Sequence, residues 1–293
     1  MAIEEFKQKL QSVLALGNAF TVQTFLGVKN GQGGITLKKA NIRVDALSQL
    51  ADLFRAAIQN EIIRIEADSE FDLINLSDGE DQSNVIYKFD LPDDPDFFVH
   101  ISEADATHDA DYFRGDRLFD FDEGDKFEDI AFFVHRVGSE DNHISIYRQN
   151  FAINVMHQGA GRLYFNKSET QIDTVKSDLM KMDSTIDVVK IDEEFFIINL
   201  RMLESGSSFE GVIRRRAESA IERINDFGIL STVEGLQDRL EELPFARKLM
   251  KALDSSPVLD MEVGVVLSFI QNKDKINRIL KIENGKVVLG TKK

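Results

Sequence analysis

Cysteine and tryptophan are both absent from the 293-residue sequence, and it holds only 4 Pro and 4 Tyr. Without cysteine there is no disulfide framework, no thiolate metal site, no iron–sulfur cluster and no cysteine nucleophile. Without tryptophan, and with so few tyrosines, the 22 phenylalanines supply nearly all of the aromatic burial, and they bring area without a polar handle. No uninterrupted apolar run approaches the roughly 20 residues needed to cross a bilayer. The stretch Met1-Ala2-Ile3-Glu4-Glu5-Phe6-Lys7 has no basic region leading into an apolar run, so it does not read as a secretory signal. The expected location is the cytoplasm.

Charge is present but unevenly placed. The net charge is −16, which by itself argues against a nucleic-acid partner. Between Glu61 and Asp129, however, there are 23 acidic residues and 5 basic ones, and the rest of the chain has a net charge of +2. From Phe245 to Lys293 there are ten bases and five acids. An acidic middle therefore precedes a mildly basic end, and the chain is divided here into an N-terminal region 1–129 and a region 130–293.

Hydrophobic spacing predicts a helix over Glu4–Leu16, a strand over Phe20–Val28 and a glycine-rich turn at Asn30–Gly34 with a strand returning from Ile35. A helix capped by Asp45 follows. Strands are expected at Ile62–Ile65, Phe71–Leu76 and Val85–Phe89, and Phe97–Ile101 alternates weakly. From Glu103 to Asp129 the chain reads as an exposed connection. Three hairpins are expected next: Ile130–Arg136 with Ile144–Arg148, Phe151–Met156 with Arg162–Phe165, and Ile186–Ile191 with Phe195–Leu200. Helices then follow at Phe209–Phe227, at Leu236–Leu243, after Pro244, and over Asp260–Ile270. A last hairpin turns at Asn284-Gly285. The fold class is α+β, a mostly antiparallel sheet with a C-terminal helical group, and the Phe209–Phe227 helix is expected to pack across the sheet.

Catalytic motifs are scarce. The five histidines show no HExxH or HxH spacing, and there is neither a nucleophile elbow nor a phosphate loop ending in Gly-Lys-Ser/Thr. Asp116, Asp120, Asp122, Glu123 and Asp125 crowd around Gly124, but in the wrong order for a calcium loop. Asp187-Val188-Val189-Lys190 distantly resembles a nuclease strand, yet alternation sends Asp187 and Lys190 to opposite faces. The expectation is a protein that binds rather than catalyses, with no cofactor and no metal; a metal-dependent nuclease stands as an alternative.

Two sets of residues suggest binding. In the acidic segment, Phe113, Phe119 and Phe121 stand among Asp120 and Asp122. This is a solvated loop, a docking surface for a basic partner with phenylalanine anchors, or an arm that masks a basic face. Among the bases, Arg214-Arg215-Arg216 covers well over half of a helix circumference, so one arginine must sit near the buried stripe and needs a partner such as Glu210. Arg247, Lys248, Lys251, Lys273, Lys275 and Arg278 complete a set that could neutralise phosphates without reading sequence. The alternative is a solvated helix face with internal ion pairs.

One resemblance covers the second half of the chain. Ile144-Ser145-Ile146-Tyr147-Arg148, Leu163-Tyr164-Phe165, Met182-Asp183, Ile186-Asp187-Val188-Val189-Lys190-Ile191, Phe195-Phe196-Ile197-Ile198-Asn199 and Phe209-Glu210 together resemble the KwaB family, the B component of the bacterial Kiwa anti-phage system. The resemblance implies a cytoplasmic defence protein that binds double-stranded DNA, impedes phage replication and transcription, and works with a small membrane protein, KwaA. It also implies a homo-oligomer. It carries no catalytic residues onto this sequence.

Overall fold

The structure is a computed structural model that describes residues 1–31, 33–77, 84–91, 94–106, 115–151, 154–156, 165–168, 171–174, 178–201, 209–277 and 280–289. The fold is α+β with a mostly antiparallel sheet. The chain forms two compact units, one of residues 1–73 with 96–202 and the other of 74–95 with 203–293. The units are therefore not divided at residue 129.

In the first unit the strands run in the spatial order Glu194–Ile197, Val188–Ile191, His143–Gln149, Ile130–Gly138, Thr21–Lys29, Ile35–Ala40 and Leu118–Phe119. Every pairing is antiparallel except the last, where Leu118 and Phe119 lie parallel to Lys39 and Ala40. Residues directly opposite each other share a face, so rows of side chains cross the sheet. The row Phe25–Val134–Tyr147–Val188–Ile197 is fully buried beneath helix Asp96–Ala106. Phe97 stacks on Tyr147 at 4.6 Å between ring centroids, and Phe98 on Phe195 at 3.8 Å. The row Thr24–His135–Ile146–Val189–Phe196 is buried on the opposite face. There Phe54 of helix Val44–Ala67 meets His135 at 4.3 Å, and Phe6 of helix Ile3–Leu14 meets Phe196 at 5.1 Å. Burial on both faces explains why these strands read as continuous apolar runs rather than as clean alternation.

Several expectations are corrected. Ile62–Ile65 is no strand but the end of helix Val44–Ala67, where Phe54, Ile58, Ile62 and Ile65 form one buried stripe at helical spacing. Asp45 lies inside the first turn of that helix and does not cap it; the N-cap is Arg43, with no side-chain cap bond. Phe97–Ile101 belongs to helix Asp96–Ala106, whose buried Phe97, Phe98, Ile101 and Ala104 recur at three to four residues. The segment from Glu103 to Asp129 is not all exposed connection, because it ends that helix and supplies the edge strand Leu118–Phe119. Val155–Met156 pairs with Leu179–Met180, and Phe165–Ser168 with Gln171–Thr174, and most of the second expected hairpin, its turn included, lies outside the described residues. The hairpins Ile130–Gly138 with His143–Gln149 and Val188–Ile191 with Glu194–Ile197 stand as expected.

In the second unit helix Phe209–Phe227 ends at Gly228, whose φ of +73° favours glycine. It buries Ile213, Ala217, Ala220 and Ile221 and packs against helix Leu243–Ser255, which buries Ala246 and Met250. The expected helix Leu236–Leu243 shortens to Glu234–Gln237. Helix Val263–Asn272 and hairpin Lys281–Glu283 with Lys286–Val288 enclose a small cluster of Ile229, Val266, Ile270 and Val287. Asn284 and Gly285 both hold positive φ, as a two-residue hairpin turn requires.

Gly27 lies against Phe132 so closely that a Cβ would stand 2.2 Å from the ring. Gly27→Ala should therefore overpack the sheet and lower unfolding stability by about 1–3 kcal/mol. Urea titration checks this, and an unchanged midpoint would show that the two strands can part without cost.

Candidate functional site

A buried polar cluster begins as a row in the sheet. Arg136, Ser145 and Lys190 are opposite one another on three adjacent strands, two residues along from the apolar row beneath helix Asp96–Ala106. Asp105, near the end of that helix, joins them. Its carboxylate accepts from Lys190 Nζ at 2.6 Å, Ser145 Oγ at 2.7 Å and His143 Nε2 at 3.1 Å. Lys190 also donates to the Asp192 carbonyl, and Arg136 reaches the Glu140 carbonyl and His143 Nδ1, each at 3.2 Å. Burial works to raise the Asp105 carboxyl, but the hydrogen bonds from His143, Lys190 and Ser145 outweigh it and hold it well below the usual carboxylate range. Ser145 is fully buried and its hydroxyl donates to the Asp105 carboxylate, so the arrangement ties helix to sheet.

Asp187 stands apart from Lys190, as strand alternation predicts. It accepts from the Gln149 N–H at 2.9 Å and from Asn199 Nδ2 at 3.2 Å, and burial lifts its carboxyl above the ordinary value. His135 is buried on the other face with Thr24 Oγ1 3.0 Å from its Nδ1; burial first, and nearby Arg148 second, push its pKa down to about 3. Among the described residues no three His, Asp or Glu side chains cluster so as to hold a metal ion.

A second feature is a groove of about 590 Å³ beside the edge strand Leu118–Phe119. Its walls include Leu26, Phe119, Phe127, Met180 and Met182, and Asp120, Phe121 and Asp122 stand at its mouth. The sequence grouped Phe119 with Phe121 as a surface anchor, but Phe119 is buried in a cluster with Leu26, Val28, Ile130 and Phe133. Phe121 is 59% exposed and Asp120 and Asp122 are exposed, whereas Phe113 lies outside the described residues. Phe121 rests edge-on against both Phe119 at 5.2 Å and Phe127 at 4.9 Å.

The basic residues divide by environment. Arg214 is the arginine of the triplet that needs a partner; it binds Glu210 at 2.7 Å and Glu241 at 2.7 Å. Arg215 and Arg216 are exposed on the same helix. Arg247 was expected at the surface but is fully buried, because its helix turns that position inward beside Ala246 and Met250. Lys248 is exposed, while Lys251 binds the Asp90 carboxylate at 3.3 Å. Lys273, with its ammonium 5.6 Å over the Phe269 ring, and Lys275 are exposed, and Arg278 lies outside the described residues. Sequence reasoning missed Asp105 as a partner of Lys190. The available signal was a lysine inside Val188-Val189-Lys190-Ile191, since a cation in an apolar strand requires a counter-charge.

The profile of a family described as Kiwa protein KwaB-like matches residues 127–293. A curated protein of Escherichia coli O55:H7 (strain RM12579 / EPEC), described as Kiwa protein KwaB, is 25% identical over 302 aligned residues, covering 100% of this chain and 89% of the relative. No solved structure matches.

The buried titratable groups predict acid sensitivity with a definite sign. His135 has a folded pKa of about 3, below the ordinary value of 6.5, so its contribution is complete above pH 6.5 and is lost as pH falls towards 3. The Asp105 carboxyl is likewise depressed, so its contribution is complete above about pH 4 and is lost on further acidification. His135→Phe should flatten the decline between pH 6.5 and 4.5, which in the wild type approaches about 1.4 kcal/mol per pH unit. Asp105→Asn should cost about 3–5 kcal/mol at pH 7 by leaving the Lys190 ammonium buried without its counter-charge. Urea titrations at several pH values check both, and an Asp105→Asn protein as stable as wild type would show that the cluster does not hold the helix.

Proposed function

The chain belongs to the Kiwa protein KwaB-like family, and from that premise we propose that this Kiwa anti-phage defence component binds double-stranded DNA nonspecifically instead of catalysing a reaction. The observation that supports DNA contact is the exposure of Arg215 and Arg216 on helix Phe209–Phe227 together with Lys248 on the helix packed against it. Exposed guanidinium and ammonium groups neutralise phosphates and release counterions without contacting base edges. Lys273 and Lys275 extend the set. Arg214, Arg247 and Lys251 leave it, since two are engaged by carboxylates and one is buried.

So few contacts give weak binding to one copy. A homo-oligomer on one duplex raises the effective concentration of each further contact and converts weak sites into useful avidity. Among the described residues no helix is long and apolar enough to cross a membrane, so recruitment to a membrane would run through a second protein, the role proposed for the membrane partner KwaA.

A gel shift with labelled duplex DNA over a salt series tests the proposal. The wild type should bind at low salt and lose affinity steeply as salt rises. Arg215→Glu with Lys248→Glu should weaken binding and flatten the salt slope by about 0.9 for each phosphate contact removed. Binding indifferent to salt and to both substitutions would overturn the assignment, and magnesium-dependent cleavage of the duplex would replace binding with a nuclease.

A further inference from the structure

We infer that the groove beside Leu118–Phe119 docks a basic, apolar-anchored segment of a partner protein. The inference does not depend on DNA contact, because all of the residues involved belong to the first compact unit and none is a proposed phosphate ligand. The floor of the groove is apolar. Leu26 and Phe119 are fixed core residues, while Met180 and Met182 are partly buried thioethers that can reshape around an incoming side chain. At the mouth, Phe121 is 59% exposed yet held between Phe119 and Phe127. An aromatic side chain already fixed in place loses little freedom on binding.

The rim of the groove is charged. Cations near the groove are already matched by acids of their own: Lys38 binds Asp125 at 2.7 Å, Arg43 binds Asp45 at 3.2 Å and Lys126 lies 3.6 Å from Glu128. Asp120, Asp122 and Glu123 are exposed and have no ion pair among the described residues. The rim is therefore net negative over an apolar floor, which favours lysine or arginine flanking leucine or phenylalanine and repels phosphate. A symmetric contact of two copies at this groove would set one acidic rim against another, so like charges oppose a second copy here.

The test uses the full chain without DNA and reads fluorescence anisotropy of a labelled synthetic peptide of alternating lysine and leucine. This peptide should bind, and peptides of alternating glutamate and leucine or of lysine and serine should bind much more weakly. Phe121→Ala and Asp122→Lys should each weaken binding about tenfold, whereas Glu222→Lys on the second unit should leave it unchanged. Phe121 and Asp122 are exposed, so a wild-type urea midpoint confirms that each variant still folds. Equal binding of the lysine–serine peptide, or no effect of Phe121→Ala, would overturn the inference. If Phe121→Ala instead splits an oligomer in light scattering, the occupant is a second copy and the inference also fails.

Discussion

The pairing of Thr21–Lys29 with Ile130–Gly138 is the constraint on which the first unit rests. It joins the N-terminal hairpin to the antiparallel meander of the later chain, with register contacts from Thr21 opposite Gly138 to Val28 opposite Ile130. All the residues between the two strands must be closed into a loop before these contacts form, so the pairing carries most of the non-local ordering of the unit. Once it is made, Gly27 admits the Phe132 ring, Thr24 meets His135, and the rows buried on both faces extend without interruption to Ile197 and Phe196. The Asp105 cluster then secures the covering helix. Its three donors to one carboxylate fix the helix against the sheet more specifically than apolar contact alone could.

Local patterning made much of this legible. Helix Phe209–Phe227 shows its boundaries in a 3.6-residue stripe and a closing glycine, and the Gly138–Asn142 and Asn284-Gly285 turns announce their hairpins. The errors share a physical origin. Ile62–Ile65 and Phe97–Ile101 are apolar runs of five residues or fewer, and at that length a buried helix and a buried strand look alike. The interleaving of the two compact units was not legible either, because strand order depends on contacts between distant segments that no local pattern encodes. The groove was half visible. Phe121, Asp120 and Asp122 could be picked out by composition, but Met180 and Met182, which help to build its floor, lie about sixty residues away in the sequence.

Charge counting was the least faithful guide, for a definite reason. Residues 203–293 contain fifteen lysines and arginines and fourteen acids, so that stretch carries almost no net charge. Arg214 is held by Glu210 and Glu241, Arg239 by Glu242 and Lys251 by Asp90. Exposed pairs of this kind add little stability, but they cancel the field that a phosphate would otherwise feel. Arg215 and Lys248 are exposed on two helices that pack together, and that exposure, not membership of a basic segment, is what recommends them.

The same reasoning explains why the surfaces suited to recognition lie where they do. The central rows are committed on both faces to packing, and their polar members, His135, Ser145, Asp187 and Lys190, are committed to internal partners. A sheet saturated in this way can offer recognition only at its edge or through elements outside it. The two-residue strand Leu118–Phe119 is such an edge, short enough to resist open-ended strand pairing yet flanked by a groove with its own anchor and charge. The exposed cations of the second unit suit a different chemistry, the proposed contact with phosphates, which would depend on salt where an apolar floor would not. Neither proposed surface borrows a residue from the Asp105 cluster, but the groove shares Leu26 with the strand pairing that holds the first unit together, so its floor is as fixed as the core while its exposed rim is free to vary.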